Sequence, residues 1–272
     1  MKDVLLNKKV GFIGCGNMAE AIISAITKNV VSSKNIFVSD VNIQRLNYVS
    51  SKYKLTKLPD NCHVVELSDI IFLAVKPYQI EDVLKETACC FNKSKIVISI
   101  AAGIKTSRIE KHLKKVPIIR VMPNTPALVG EGAIAITKGR YANFRHLDIA
   151  KKLLDLCGIV VTVDESQMDT ITAVSGSGPA YIFYIAEIMQ KTAKKLGLSE
   201  KIAKKLVNQT LLGASQMLVS STDGPETLRQ KVTSKGGTTE AAFKVLTNQG
   251  FAKIFEQAIF EAMKRSREIS ND

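Results

Sequence analysis

The chain has 272 residues, 46% of them apolar, with 38 basic against 25 acidic side chains and a formal charge of +13. That composition fills a sizeable core, no apolar run nears the ~20 residues that cross a bilayer, and the N-terminus lacks the apolar segment and cleavage site of a signal peptide, so a cytoplasmic, globular protein with no membrane partner is expected. The lysines are scattered, their densest group lies on amphipathic helical sequence, and the chain contains no Trp, which argues for a solvated surface and against a nucleic-acid partner.

Taken in order, the first informative stretch is Val10-Gly11-Phe12-Ile13-Gly14-Cys15-Gly16-Asn17-Met18-Ala19. A short apolar run meets Gly14-x-Gly16-x-x-Ala19, and Ala21, Ile22, Ala25 and Ile26 then recur at helical spacing. The pattern is strand, tight turn, helix. Gly14 permits the turn, Gly16 lets backbone approach a pyrophosphate, and the small Ala19 lets the helix pack on its strand. Gly11, Ile13, Gly14, Cys15, Gly16, Asn17 and Met18 are therefore expected to cradle a dinucleotide at the helix start. A glycine turn alone is a weak signal, but Asp40 closes a second apolar run, Ile36-Phe37-Val38, 21 positions after Ala19. A ribose-binding acid belongs there.

Further continuous apolar runs follow at Ile70-Ile71-Phe72-Leu73-Ala74-Val75, Ile96-Val97-Ile98-Ser99-Ile100, Ile118-Ile119-Arg120-Val121-Met122 and Ile159-Val160-Val161-Thr162-Val163. They read as strands buried on both faces, separated by helical patterns at 80–88 and 107–113, and so as an α/β, doubly wound, mostly parallel sheet. Residues 132–137 are expected to add an edge strand, and 148–156 a covering helix. In such sheets ligands lie beyond the carboxyl ends of the strands. That directs attention to Ala74-Val75-Lys76-Pro77, to Ala101-Ala102-Gly103 and to the loop bearing Asn124. The five cysteines are odd in number and lack metal-ligand spacing, so no disulfide framework and no metal site is expected. The three histidines fall in surface-like or helical sequence, and catalysis by His is not expected.

From about position 165 the strand-like runs stop. Tyr181, Ile185, Ile188, Met189 and Thr192 form one helical stripe; Ile202, Leu206, Thr210, Leu211, Ala214 and Leu218 form another; Phe243 to Met263 continue the pattern. The expected organisation is a dinucleotide-binding domain over 1–164 and an all-α domain over 165–272. Its stripes exceed what so few residues can cover alone, which predicts helix packing between subunits. Two loops in this half carry chemistry. Ser175-Gly176-Ser177-Gly178-Pro179-Ala180 reads as a flexible turn with Pro opening a helix. Val232-Thr233-Ser234-Lys235-Gly236-Gly237-Thr238-Thr239 places hydroxyls and backbone N–H groups at a helix start, suited to a carboxylate. An ordinary N-cap is the competing reading of that loop.

Taken together, the glycine turn, Phe72-Leu73-Ala74-Val75-Lys76-Pro77, Ser99-Ile100-Ala101-Ala102-Gly103, Met122-Pro123-Asn124-Thr125-Pro126, the 175–181 segment and the 232–239 loop resemble pyrroline-5-carboxylate reductase along nearly the whole chain. The resemblance implies a Rossmann-type domain, a helical domain that interlocks with a partner's into a homodimer or higher homo-oligomer, and reduction of 1-pyrroline-5-carboxylate to L-proline by NADPH or NADH. It further implies that Asn61 joins residues 74–77 at the cofactor. Ser177, Gly178, Ser234, Gly237, Thr238 and Thr239 would hold the substrate, with Thr239, Ser234 and Thr238 nearest the chemistry. Thr239 suits the orientation of an iminium already protonated from solvent, since a hydroxyl is a poor general acid. Many members use NADPH, with small polar residues and an Arg at the ribose turn. Asp40 favours NADH, whereas Ser39, Asn42 and Arg45 offer contacts to a 2′-phosphate if Asp40 turns outward; both cofactors are expected to be accepted. A β-hydroxyacid dehydrogenase resembles the chain in outline, but the first cation after Gly178 is Lys191, too distant for that family's catalytic lysine. A non-catalytic dinucleotide sensor would have no need of the hydroxyls at 234–239.

Overall fold

The computed structural model describes Leu5 and residues 7–271. The first apolar run is β1 (Val10–Ile13), and the glycine turn passes into α1 (Asn17–Asn29). There follow β2 (Ile36–Ser39), α2 (Ile43–Tyr53), β3 (Thr56–Lys57), α3 (Asn61–Leu67), β4 (Ile70–Leu73) and α4 (Ile80–Thr87). After these come β5 (Ile96–Ser99), α5 (Thr106–His112), β6 (Ile118–Met122), β7 (Gly132–Lys138), α6 (Phe144–Leu154) and β8 (Gly158–Thr162).

The strands form one sheet in the order β3-β2-β1-β4-β5-β6-β7-β8. Every pairing is parallel except β6 with β7. Val10 lies opposite both Ile36 of β2 and Ile70 of β4, so the strand order reverses at β1. That reversal opens a crevice at the carboxyl ends of β1 and β4. Alternation along the strands feeds two cores. Val10, Phe12, Val38, Phe72 and Ile98 face α1, α2 and α6, with the Phe12 and Phe72 rings stacked at 4.6 Å. Ile13, Ile71, Leu73 and Val97 face α3, α4 and α5. Gly11 is small for packing reasons, because a Cβ there would stand 2.6 Å from Val64 Cγ1 of α3.

Three features depart from the sequence reading. β7 is interior to the sheet, since β8 pairs beyond it. β8 is therefore an edge strand, and Ile159 and Val161 are exposed rather than buried on both faces. β3 closes the other edge with only two residues, too short to leave a periodic signal. The covering helix α6 also begins four residues earlier than expected, because Asn143 caps it by accepting the N–H groups of Arg145 and His146.

Beyond β8 the chain is helical: α7 (Met168–Ile171), a π-helical turn over Thr172–Gly176, α8 (Gly178–Lys195), α9 (Glu200–Ser220), α10 (Pro225–Lys231), α11 (Thr238–Asn248) and α12 (Phe251–Asn271). The 175–180 segment is thus the end of the π-helical turn, a bend at Ser177 and the start of α8, not a flexible loop, and Pro179 is the second residue of α8. The chain divides into one compact unit of Met1–Ser177 with Ala262–Asp272, and a second of Gly178–Glu261. The first unit extends past the expected boundary at 164 and takes in the end of α12. A polar cluster accounts for this. Arg120, 2% exposed on β6, has Nη1 3.4 Å from Glu165 and Nη2 3.8 Å from Asp169, and Asp169 accepts hydrogen bonds from Ser266 at 2.8 Å and Ser270 at 3.2 Å. A buried guanidinium requires such partners.

In the second unit α8 and α9 pack together, and Tyr181 meets Phe255 edge to face at 5.5 Å. Much of the helical stripes is uncovered: Ile188 is 47%, Leu206 55% and Ile254 64% exposed.

Candidate active site

The glycine turn belongs to the first unit, at the carboxyl end of β1. Gly14 has φ of 98°, a conformation that L side chains avoid, and a Cβ there would lie 2.7 Å from Ala74 O. Its N–H donates to Ser39 O at 2.9 Å, and Ala74 N–H donates to Ile13 O at 2.9 Å. These bonds draw the ends of β1, β2 and β4 together. At Gly16, the residue before α1, a Cβ would meet nothing within 4 Å. Its smallness therefore serves no packing need, as expected of backbone left open to a pyrophosphate. Asn17 and Met18 open the helix, Met18 leaning on the core.

Asp40 is bound back to this turn. Its Oδ2 accepts the Cys15 N–H at 2.6 Å and its Oδ1 accepts the Asn42 N–H at 2.7 Å. Cys15 is fully buried, and burial, reinforced by the Asp40 charge, pushes its thiol up to about 12, which removes any role as a thiolate at neutral pH. Arg45 is engaged by groups of the protein itself. Its Nε donates to Cys15 O at 2.7 Å, and its terminal nitrogen pairs with Glu20, which also accepts from Lys52 at 2.9 Å and Tyr53 at 3.1 Å. Burial opposes ionisation of Glu20, but Lys52, Arg45 and Tyr53 outweigh it and hold the carboxyl below its usual range. This cluster fixes α2 to α1 behind the turn. No periodic pattern of residues marks it in advance.

Beside the end of β2 lies a cavity of about 540 Å³, lined by Ser39, Asp40, Lys57, Leu58, Asn61 and Glu86 among others. Ser39 Oγ donates to Asn61 Oδ1 at 2.7 Å, and Asn61 Nδ2 donates to Glu86 Oε2 at 2.8 Å. Asp60 caps α3 by accepting the His63 N–H at 2.9 Å, which places Asn61 at the first helical position. Glu86 escaped the sequence reading, because nothing in its spacing distinguishes it from any acid on a solvated helix.

The loop of Ala74, Val75, Lys76 and Pro77 adjoins the glycine turn, with Lys76 N–H held by Gln79 Oε1 at 3.1 Å. Ala101, Ala102 and Gly103 follow the neighbouring strand β5. Gly103, expected at the cofactor, has φ of 76°, and a Cβ there would meet Ile269 Cγ2 of α12 at 2.6 Å. Helix packing accounts for its smallness. Asn124 is 8% exposed; its Oδ1 accepts the Ala133 N–H at 2.9 Å and its Nδ2 donates to Ser175 O at 3.1 Å. Its side chain ties β6 to β7 and to the π turn. Ser177 ends that turn, donating its N–H to Thr172 O at 2.8 Å.

The second unit contains Gly178 at the start of α8 and the hydroxyl-rich loop before α11. Gly237 occupies the N-cap with no side-chain capping bond, so the hydroxyls around it are not consumed as a cap. Gly237 N–H donates to Ser234 O at 3.0 Å, Ser234 Oγ lies where a Gly237 side chain would be, and Gly236, with φ of 72°, donates to Glu240 at 2.7 Å. Thr238 and Ser234 are exposed and Thr239 is half-buried. The result is a polar helix start whose N–H groups and hydroxyls suit an anion.

Two family models match the chain: "NADP oxidoreductase coenzyme F420-dependent" over residues 9–103 and "Pyrroline-5-carboxylate reductase dimerisation" over residues 165–269. Pyrroline-5-carboxylate reductase 1 of Bacillus spizizenii is 39% identical over 275 aligned positions, covering 100% of this chain and 93% of that protein. The chain belongs to the pyrroline-5-carboxylate reductase family. A solved pyrroline-5-carboxylate reductase from Coxiella burnetii matches with a TM-score of 0.87 at 37% identity, covering 97% of this chain and 98% of that one. A Plasmodium falciparum pyrroline carboxylate reductase, solved with NADP bound, matches at 0.88 and 30% identity, covering 98% and 99%. Within this family the helical region from 165 is the dimerisation part, which agrees with homo-oligomerisation of the chain. Membership also disposes of the β-hydroxyacid dehydrogenase reading, and Lys191 is held by Glu187 on the same helix. Among the described residues no helix is long and apolar enough to cross a membrane.

Proposed function

We propose that this protein reduces 1-pyrroline-5-carboxylate to L-proline by hydride transfer from NAD(P)H. The observation that carries the reading is similarity over the full chain to pyrroline-5-carboxylate reductases, on a glycine turn whose geometry suits a dinucleotide. Gly14 holds the turn, Gly16 leaves the pyrophosphate approach open, and Ser39, Asp40 and Asn61 line the ribose side of the cavity. Residues 74–77 and Ala101 to Gly103 border the nicotinamide side. Bound NADPH or NADH supplies the hydride.

The substrate's carboxylate suits the helix start at Gly237, Thr238 and Thr239, with Ser234 beside it, and Ser177 and Gly178 border the same ligand. Thr239 orients the ring nitrogen of an iminium protonated from solvent. Orientation of reactants, rather than acid catalysis by the protein, is then the main contribution. The working unit is a homodimer or a larger homo-oligomer built from dimers, supported by the uncovered stripes of α8, α9 and α12. The division at 164 and 165 marks cofactor and substrate halves by role, and the protein works in the cytoplasm. Adding 1-pyrroline-5-carboxylate to protein and NADPH or NADH tests the reading: consumption of the cofactor supports it, and a bound but unconsumed cofactor favours a non-catalytic sensor.

A further inference from the structure

Contrary to the sequence expectation, Cys62 and Cys90 are joined in a disulfide. Cys62 is the second residue of α3, directly after Asn61, and Cys90 ends the short helical turn that follows α4, four residues beyond Glu86. The crosslink therefore ties the start of α3 to the end of α4. These are the two places that carry the Asn61 to Glu86 hydrogen bond at 2.8 Å on the cavity wall. Cys62 Sγ also stands 3.5 Å from Glu86 O. The third thiol, Cys89, is exposed, with its sulfur 3.7 Å from that of Cys90, so the cluster is open to small solutes.

We propose that Cys62 and Cys90 form a reversible thiol–disulfide site that sets the cofactor preference of the adjoining pocket. The inference rests on the dinucleotide reading of that pocket. With the disulfide closed, Asn61 and the crosslink hold the Glu86 carboxylate on the wall of the cavity that Asp40 also lines, and two carboxylates lining it oppose the 2′-phosphate of NADPH far more than the hydroxyl of NADH. Opening it frees the segment after α4 and lets the exposed Glu86 swing into solvent. The exchange partner is a low-molecular-weight thiol and its disulfide. One thiolate attacks a sulfur of the pair, forming a mixed disulfide and releasing the other cysteine as a thiolate. A second small-molecule thiolate then attacks the small-molecule sulfur of that mixed disulfide, and the remaining cysteine leaves as a thiolate. Two cysteine thiols and one small-molecule disulfide result, with two electrons passing to the protein, and excess small disulfide runs the sequence backwards.

The test uses the full chain carrying Cys89→Ser, which leaves one redox couple at the cluster. Protein equilibrated with oxidised glutathione is compared with protein reduced by dithiothreitol. Peptide mapping under non-reducing conditions reads the crosslink, and fluorescence titration gives Kd for NADPH and NADH. A Cys62–Cys90 peptide is expected only in the oxidised sample. Reduction should move the Kd ratio toward NADPH by roughly three- to tenfold, the size of one carboxylate acting on a nearby phosphate near the surface. Cys62→Ser should reproduce the reduced ratio without reductant. Glu86→Gln should show it in both redox states, which keeps the test valid if the cysteine variant folds poorly. An unchanged ratio between oxidised and reduced forms, or free Cys62 and Cys90 after oxidation, would overturn the proposal. Failure of every form to bind either cofactor would instead overturn the dinucleotide reading, and this proposal with it.

Discussion

The Cys15 N–H donates to the Asp40 carboxylate at 2.6 Å, so the acid at the end of β2 is part of the glycine turn as well as of the adjoining cavity's wall. The same carboxylate accepts from Asn42, and each oxygen keeps a lone pair for a ribose hydroxyl. Asp40→Ser should weaken NADH, which loses that acceptor, while relieving the repulsion of a 2′-phosphate. We expect the NADPH-to-NADH ratio of kcat/KM to rise by roughly five- to tenfold. An unchanged ratio would remove Asp40 from the ribose.

The two turn glycines separate a folding role from a ligand role. Gly14→Ala places a side chain at φ of 98° and 2.7 Å from Ala74 O, which should cost at least ~1–3 kcal/mol of stability. Gly16→Ala meets no protein atom within 4 Å, so the thermal midpoint should stay near that of the parent while cofactor affinity falls. Calorimetry and cofactor titration on both variants check the contrast. Equal destabilisation by the two would contradict it.

Acid sensitivity follows from Glu20, 12% exposed and held by Arg45, Lys52 and Tyr53. Its folded carboxyl titrates below the usual 4.5, so under that value the unfolded state binds more protons. The stabilisation is present above pH 4.5 and drains as pH falls through the folded value. Glu20→Gln should cost roughly 1–3 kcal/mol at neutral pH. In urea titrations at several pH values, the gap between parent and variant should narrow toward the acid end; a constant gap would show that the charge of Glu20 is immaterial.

Much of this was legible in the sequence. The strands that begin at Val10, Ile36, Ile70 and Ile96 follow from apolar runs, and the turn from Gly14 and Gly16, because burial and backbone conformation leave local marks. What escaped was long-range. The Arg45 to Glu20 pair, the Asn61 to Glu86 bond and the Cys62 to Cys90 crosslink join residues at least 25 positions apart, and no local pattern encodes such meetings. Gly103 and Asn124 lie in loops at strand ends where ligands bind, and each also meets a residue distant in sequence, Ile269 and Ser175, that no local pattern announces.

Thr239 carries the mechanistic proposal. Thr239→Val keeps the shape of the side chain and removes the hydroxyl, so kcat with 1-pyrroline-5-carboxylate should fall by roughly ten- to a hundredfold, as a lost hydrogen bond of ~1–3 kcal/mol implies. Kd for NADPH should not change. Parental kinetics in the variant would take Thr239 out of the mechanism.

Reduction of 1-pyrroline-5-carboxylate rests on hydride transfer from nicotinamide to its imine carbon. Turnover with NADPH fully deuterated at C4, followed by mass spectrometry of the product, tests it most directly. L-proline with one deuterium on its δ carbon is expected for each cofactor oxidised. Cofactor oxidation without labelled proline, or proline carrying no deuterium, would contradict it.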